Sequence, residues 1–110
     1  MVSLMTDYLQ VATATDSRDS GVLLAEGAVA GRLAAGAQVV GPVTSVFWHH
    51  GERGIGEEWQ ILFFTTAARY PELERYLLDE HSWSNPQVTA VPIVRGSTDY
   101  LAWVARSVAV

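Results

Sequence analysis

Two apolar, strand-forming runs flank a polar, glycine-rich centre in residues 43–66, Val43-Thr-Ser-Val-Phe-Trp-His-His-Gly-Glu-Arg-Gly-Ile-Gly-Glu-Glu-Trp-Gln-Ile-Leu-Phe-Phe-Thr-Thr66, and the second run does not alternate. The pattern predicts two strands folded back on each other. Val43 to His49 is β-branched and aromatic, Gly51, Gly54 and Gly56 mark the turn region, and Trp59 to Thr66 is apolar again. In the second strand Trp59, Ile61 and Phe63 share one face, and Gln60, Leu62 and Phe64 the other. A strand this apolar on both faces needs cover on both. Helices are expected over one face and another copy of the protein over the other.

The flanking segments supply the remaining elements. Tyr8–Thr15 reads as a first strand with Leu9, Val11 and Thr13 on one face. Asp16, with the carboxylate of Asp19 three residues on, forms an N-terminal capping pattern, and a helix is expected to about Ala35. Its buried stripe is read as Val22, Ala25, Val29 and Leu33, with Gly27 and Gly31 permitting close approach of a neighbour. Gln38-Val-Val opens the next strand, and Gly41-Pro42 breaks or bulges it. Pro71 suits the first turn of a second helix, in which Leu73, Tyr76 and Leu77 face inward while Glu72, Glu74, Arg75 and Asp79 face solvent. The loop 81–86 leads to a fourth strand over Gln87–Val94, with Pro92 marking an edge or a bulge. Gly96-Ser-Thr-Asp caps a short last helix, with Leu101, Val104 and Val108 on one side and Tyr100 and Trp103 on another.

The order β-α-β-β-α-β plus a terminal helix predicts an α+β, ferredoxin-like split βαβ sandwich, with helices on one face and the other bare. At 110 residues this is one domain. A hydrophobic fraction of 49% against 17% charged residues is rich for a small monomer and favours an oligomer.

Composition narrows the chemistry. A net charge of −5 without a basic run argues against a nucleic-acid partner. No apolar run has membrane-spanning length, and the first residues lack a signal-peptide pattern, so a soluble, cytoplasmic protein is the expectation. There is no cysteine, and all seven basic residues are arginine. Thiolate metal sites, thiol nucleophiles and lysine Schiff bases are thereby excluded.

In collinear order the chain carries Ala14-Thr-Asp-Ser, Arg32-Leu-Ala-Ala, Val39-Val, Val43-Thr-Ser-Val-Phe, Gly51, Glu57-Glu58 and Thr65-Thr66. His81 and Pro86, Ala90-Val-Pro-Ile, and Gly96 with Tyr100-Leu-Ala-Trp103 follow. Together these resemble the CutA divalent-cation-tolerance family, trimers of ferredoxin-like subunits related in assembly to the PII signalling proteins. The resemblance implies a homotrimer with clefts between subunits. It also exposes departures. Gly36 stands where the family has Cys, Phe64 where it has Lys, and Phe47-Trp-His-His-Gly51 where it has Tyr-x-Trp-x-Gly. His81-Ser-Trp-Ser-Asn-Pro-Gln87 replaces His-Pro-Tyr-Glu-x-Pro-Glu.

The resemblance places Gly36, Phe64, Trp83, Ser84 and Asn85 around the subunit boundary as candidate ligand-binding residues. Such a pocket would be larger and drier than the family's and would suit an apolar or aromatic small molecule. Glu58 is the candidate base, since partial burial would favour its protonated form, and His81 the candidate acid or orienting donor. His81 reads equally as a helix-terminal cation. His49 and His50 are candidate ligands for copper or another divalent metal; as strand neighbours they would point to opposite faces, and only weak binding is expected. No other cofactor is implied. Three readings stay open: a small-ligand or metal-binding trimer, an enzyme using His and Glu for a cyclisation, isomerisation or elimination, and a scaffold.

Overall fold

The computed structural model describes residues 7–110; the first six, on which the signal-peptide reading partly rests, lie outside them. The elements are β1 (Tyr8–Thr15), α1 (Arg18–Ala30), β2 (Gly36–His49), β3 (Glu52–Thr66), α2 (Tyr70–Glu80), β4 (Thr89–Pro92) and α3 (Thr98–Val108). The sheet has the order β2-β3-β1-β4 with every neighbouring pair antiparallel. This is the split βαβ arrangement expected from the sequence.

α1 and α2 cover one face. Val11, Ile61 and Phe63 from the strands meet Leu24, Ala25, Ala28, Leu73 and Leu77 from the helices, and Phe63 is fully buried. Each of the larger side chains among these contributes about 1.5–3 kcal/mol by leaving water. Pro71 sits in the first turn of α2 as expected. Glu74, expected in solvent, is instead partly buried and accepts a hydrogen bond from the Tyr70 hydroxyl at 2.8 Å.

Three expectations for α1 need correction. Its N-cap is Ser17, whose hydroxyl accepts from the Ser20 N–H at 3.1 Å, and the helix stops at Ala30 rather than Ala35. Arg32 takes a left-handed conformation (φ 58°), Leu33 N–H donates to the Ala28 carbonyl and Arg32 N–H to that of Val29. These are the bonds of a Schellman cap, which reverses the chain five residues early. The buried stripe is Gly21, Leu24, Ala25 and Ala28, turned away from the expected Val22, Val29 and Leu33. Small residues face the sheet, and Val29 remains exposed.

The hairpin is longer than its apolar pattern suggested. β3 starts at Glu52, so Gly54 and Gly56 belong to the strand and not to the turn. The reversal is a two-residue turn at His50 and Gly51, both with positive φ (50° and 81°), as a type I′ hairpin requires. The register shifts between Val40 and Val43, where Gly41-Pro42 makes a cis bulge. Beyond it β2 and β3 run on as a two-stranded arm.

The second face is not wholly bare, which corrects the expected one-sided arrangement. Val104 and Val108 of α3 form a separate small core with Ala35, flanked by Tyr8. Tyr8 lies on the strand face opposite to Val11 and Thr13, so α3 covers that face at one end. β4 is shorter than the expected Gln87–Val94 and lies at the sheet edge, where Pro92 is tolerated.

Candidate functional site

The bulge determines which β2 side chains join β3 on the open face. Past it, Val43 pairs with Glu58, Ser45 with Gly56, Phe47 with Gly54 and His49 with Glu52. Glu58, Ser45, Phe47 and His49 therefore share a face with Ala14 of β1. The loop after α2 folds over the same region. The result is an open cleft of about 600 Å³, lined by Glu58, Ser45, Phe47, Trp83, Ser84 and Asn85 and extended by Ala14, Trp48, His49 and Gln87. Glu58 and Trp83 are half-buried, whereas Ser84 and Asn85 stand exposed at the rim.

Five of the residues singled out in the sequence thus meet in one cleft: Glu58, Trp83, Ser84, Asn85 and His49. Gly36 and Phe64 do not join them. They pair with each other at the far end of the hairpin, beneath α3, where a Cβ on Gly36 would lie 3.4 Å from the Trp103 ring. Within one chain they line a different region from Glu58.

His81 lies behind the cleft and does not line it. It follows α2 as its C-cap and is buried. Its Nε2–H donates to the Ala14 carbonyl at 2.7 Å, and its Nδ1 accepts from the Trp83 N–H at 3.0 Å. Both ring nitrogens are engaged by backbone, in a neutral tautomer fixed by those two bonds. The ring also packs against Trp83, with centroids 5.0 Å apart. His81 therefore fixes the loop that carries Trp83, Ser84 and Asn85.

His49 and His50 do not diverge as strand neighbours would. The turn begins at His50, and the rings come together with centroids 4.1 Å apart. Among the described residues no third His, Cys, Asp or Glu completes a metal-binding group with them.

Ser45, Phe47, Trp48 and Gln87 line the cleft without having been among the candidate site residues. The sequence signal was partial: a one-residue bulge at Gly41-Pro42 reverses the parity of β2 against β3, and only with that reversal do Ser45 and Phe47 fall on the side of Glu58.

Residues 9–107 match the family model of the CutA1 divalent ion tolerance protein. The chain belongs to this family. A divalent-cation tolerance protein CutA from Escherichia coli (strain S88) is 29% identical over 102 residues, covering 93% of this chain and 90% of that protein. Its counterpart in Thermus thermophilus is 31% identical over 84 residues, covering 76% and 82%. Solved CutA1 structures agree in fold. That from Thermus thermophilus superposes with a TM-score of 0.88 at 28% identity, covering 91% of this chain and 97% of that one. That from Oryza sativa gives 0.89 at 26% identity, covering 96% of each. No helix among the described residues is long and apolar enough to cross a membrane.

Proposed function

We propose that the protein is a homotrimer that holds a small, largely apolar or aromatic ligand in the cleft between the hairpin arm and the 83–87 loop. The observation that carries this reading is the cleft itself. It draws Glu58, Phe47, Trp83, Ser84 and Asn85 from separate parts of the chain into one concavity of about 600 Å³, a size suited to a small molecule. Phe47 and Trp83 supply apolar walls, Ser84 and Asn85 hydrogen bonds, and Glu58 a negative charge. His81 acts as a positioning residue, because its nitrogens already serve the backbone.

The hairpin arm supports the assembly. Val46, Trp48 and Ile55 are 69%, 74% and 72% exposed, and Val46 faces Ile55 directly across the arm. An apolar strip of this kind on a projecting arm fits burial against further copies of the chain. Such burial would place the cleft, which shares the arm, at a boundary between subunits.

The family description points to divalent cations, and the paired rings of His49 and His50 at the arm tip are the candidate ligands. Two imidazoles fall short of the four ligands usual for a structural site, so binding through them is weak.

Titration of the purified protein with indole and, separately, zinc chloride tests both parts by amide shifts. Indole should give saturable shifts at residues 83–85 that disappear in Trp83→Ala. Zinc should bind weakly and act at His49 and His50. Absence of an indole response, or tight zinc binding that survives replacement of all three histidines, would overturn the corresponding part.

A further inference from the structure

The helix side of the sheet carries a second concavity. It lies between α1 and α2, measures about 470 Å³, and is lined by Leu23, Leu24, Gly27, Tyr76, Ser20 and Glu80. Close packing shapes it. A Cβ on Gly27 would collide with the Tyr76 hydroxyl, so glycine lets the phenol ring settle against α1. That hydroxyl donates to the Leu24 carbonyl at 3.0 Å, which fixes the ring as one wall. Leu23, by contrast, is 72% exposed and leaves its aliphatic surface open beside the groove.

Glu80 brings the one carboxylate of the groove, Thr15, Ser20 and Ser82 bring hydroxyls and Tyr76 a phenol oxygen, and neither Lys nor Arg is among the lining residues. Glu80 has no ion-pair partner: the one ion pair among the described residues joins Arg69 to Glu72. His81 touches the groove, but both its ring nitrogens are committed to backbone. An anionic head group would meet a carboxylate and no cation. An ammonium would meet a carboxylate and neutral oxygen acceptors, while its hydrocarbon body covered Leu23 and Leu24.

We propose that the groove between α1 and α2 is a second ligand site, selective for small ammonium compounds with an apolar body. It lies on the opposite side of the sheet from the cleft. His81 stands between the two, lining the groove with its ring while holding the cleft loop through Trp83.

The test compares phenethylammonium with phenylpropionate, cation and anion of similar size, by amide shifts of the full-length protein. Phenethylammonium should shift Gly27 and Tyr76 saturably and bind at least about tenfold more tightly than phenylpropionate. Glu80→Gln should weaken it by roughly tenfold and Leu23→Ser by several-fold. Both side chains are exposed, so the variants should keep the wild-type fold and spectrum. Glu58→Gln should leave this binding unchanged, which separates it from the cleft. Equal binding of the two probes, binding indifferent to Glu80→Gln, or shifts confined to residues 83–85 would each overturn the proposal.

Discussion

Phe47 lies across the hairpin arm directly over Gly54. The two are register partners, and a Cβ on Gly54 would come 2.5 Å from the Phe47 ring. The ring thus covers a strand glycine while forming part of the cleft wall. Gly54→Val should push the far edge of this exposed ring aside. The stability change should stay within about 1 kcal/mol, because only a ring edge moves and valine favours a strand. Indole binding in the cleft should weaken several-fold. Thermal denaturation and the indole titration check the two halves separately.

His81 should prove structural. His81→Phe keeps an aromatic ring but loses the bonds to Ala14 and Trp83, a loss of about 2–4 kcal/mol for two buried hydrogen bonds. Denaturant unfolding measures the loss. Hydrogen exchange should show the Trp83 amide deprotected well before those of β1 and β3. An unchanged Trp83 amide would show that the loop is held by something else.

Arg32 combines a backbone cost with a side-chain gain. Its φ of 58° is unfavourable for a residue with a Cβ, while its guanidinium donates to the Ser107 carbonyl at 3.0 Å and ties the turn after α1 to the end of α3. Arg32→Ala should lower stability by about 1 kcal/mol through the lost bond. Arg32→Gly loses the same bond but releases the backbone cost, and should be roughly 1 kcal/mol more stable than the alanine variant. Paired urea melts decide the order.

Tyr70 gives the fold an alkaline limit. Burial, and then the hydrogen bond and negative charge of Glu74, push its phenol up from the usual value near 10 to about 12. The native state keeps this proton where the unfolded chain has already lost it. Stability should therefore decline as pH rises from about 10 to about 12 and be unaffected by this group at neutral pH. Absorbance titration of the native protein, with and without Glu74→Gln, should show late ionisation at Tyr70 and at Tyr76, which burial and Glu80 also push up, and only the Tyr70 component should move down in the variant.

The fold was legible in the sequence because burial imposes periodicity. Ile61 and Phe63 on one face of β3, and Leu73 and Leu77 on α2, stand where their spacing put them. What periodicity did not disclose depended on particular backbone events. The end of α1 was masked by the helical spacing of Val29 and Leu33, which continues past a Schellman cap whose left-handed position is Arg rather than Gly. The arm was cut short because Gly54 and Gly56 read as turn residues, whereas each is simply a strand residue facing Phe47 or Ser45. The cleft was half legible. Glu58, Trp83, Ser84 and Asn85 came together, but Gly36 and Phe64 lie at the other end of the hairpin under α3. Linear order could not reveal that separation, because it depends on where the last helix packs.

The proposed assembly is tested most directly by light scattering at micromolar concentration, on the wild-type chain and on Trp48→Asp. The wild type should scatter as a particle of about three times the 12.0 kDa chain mass. Trp48→Asp, which places a carboxylate on the exposed arm without touching the core, should shift it toward the single chain. A wild-type protein that scattered as a folded 12.0 kDa monomer would contradict the trimer and, with it, the placing of the cleft between subunits.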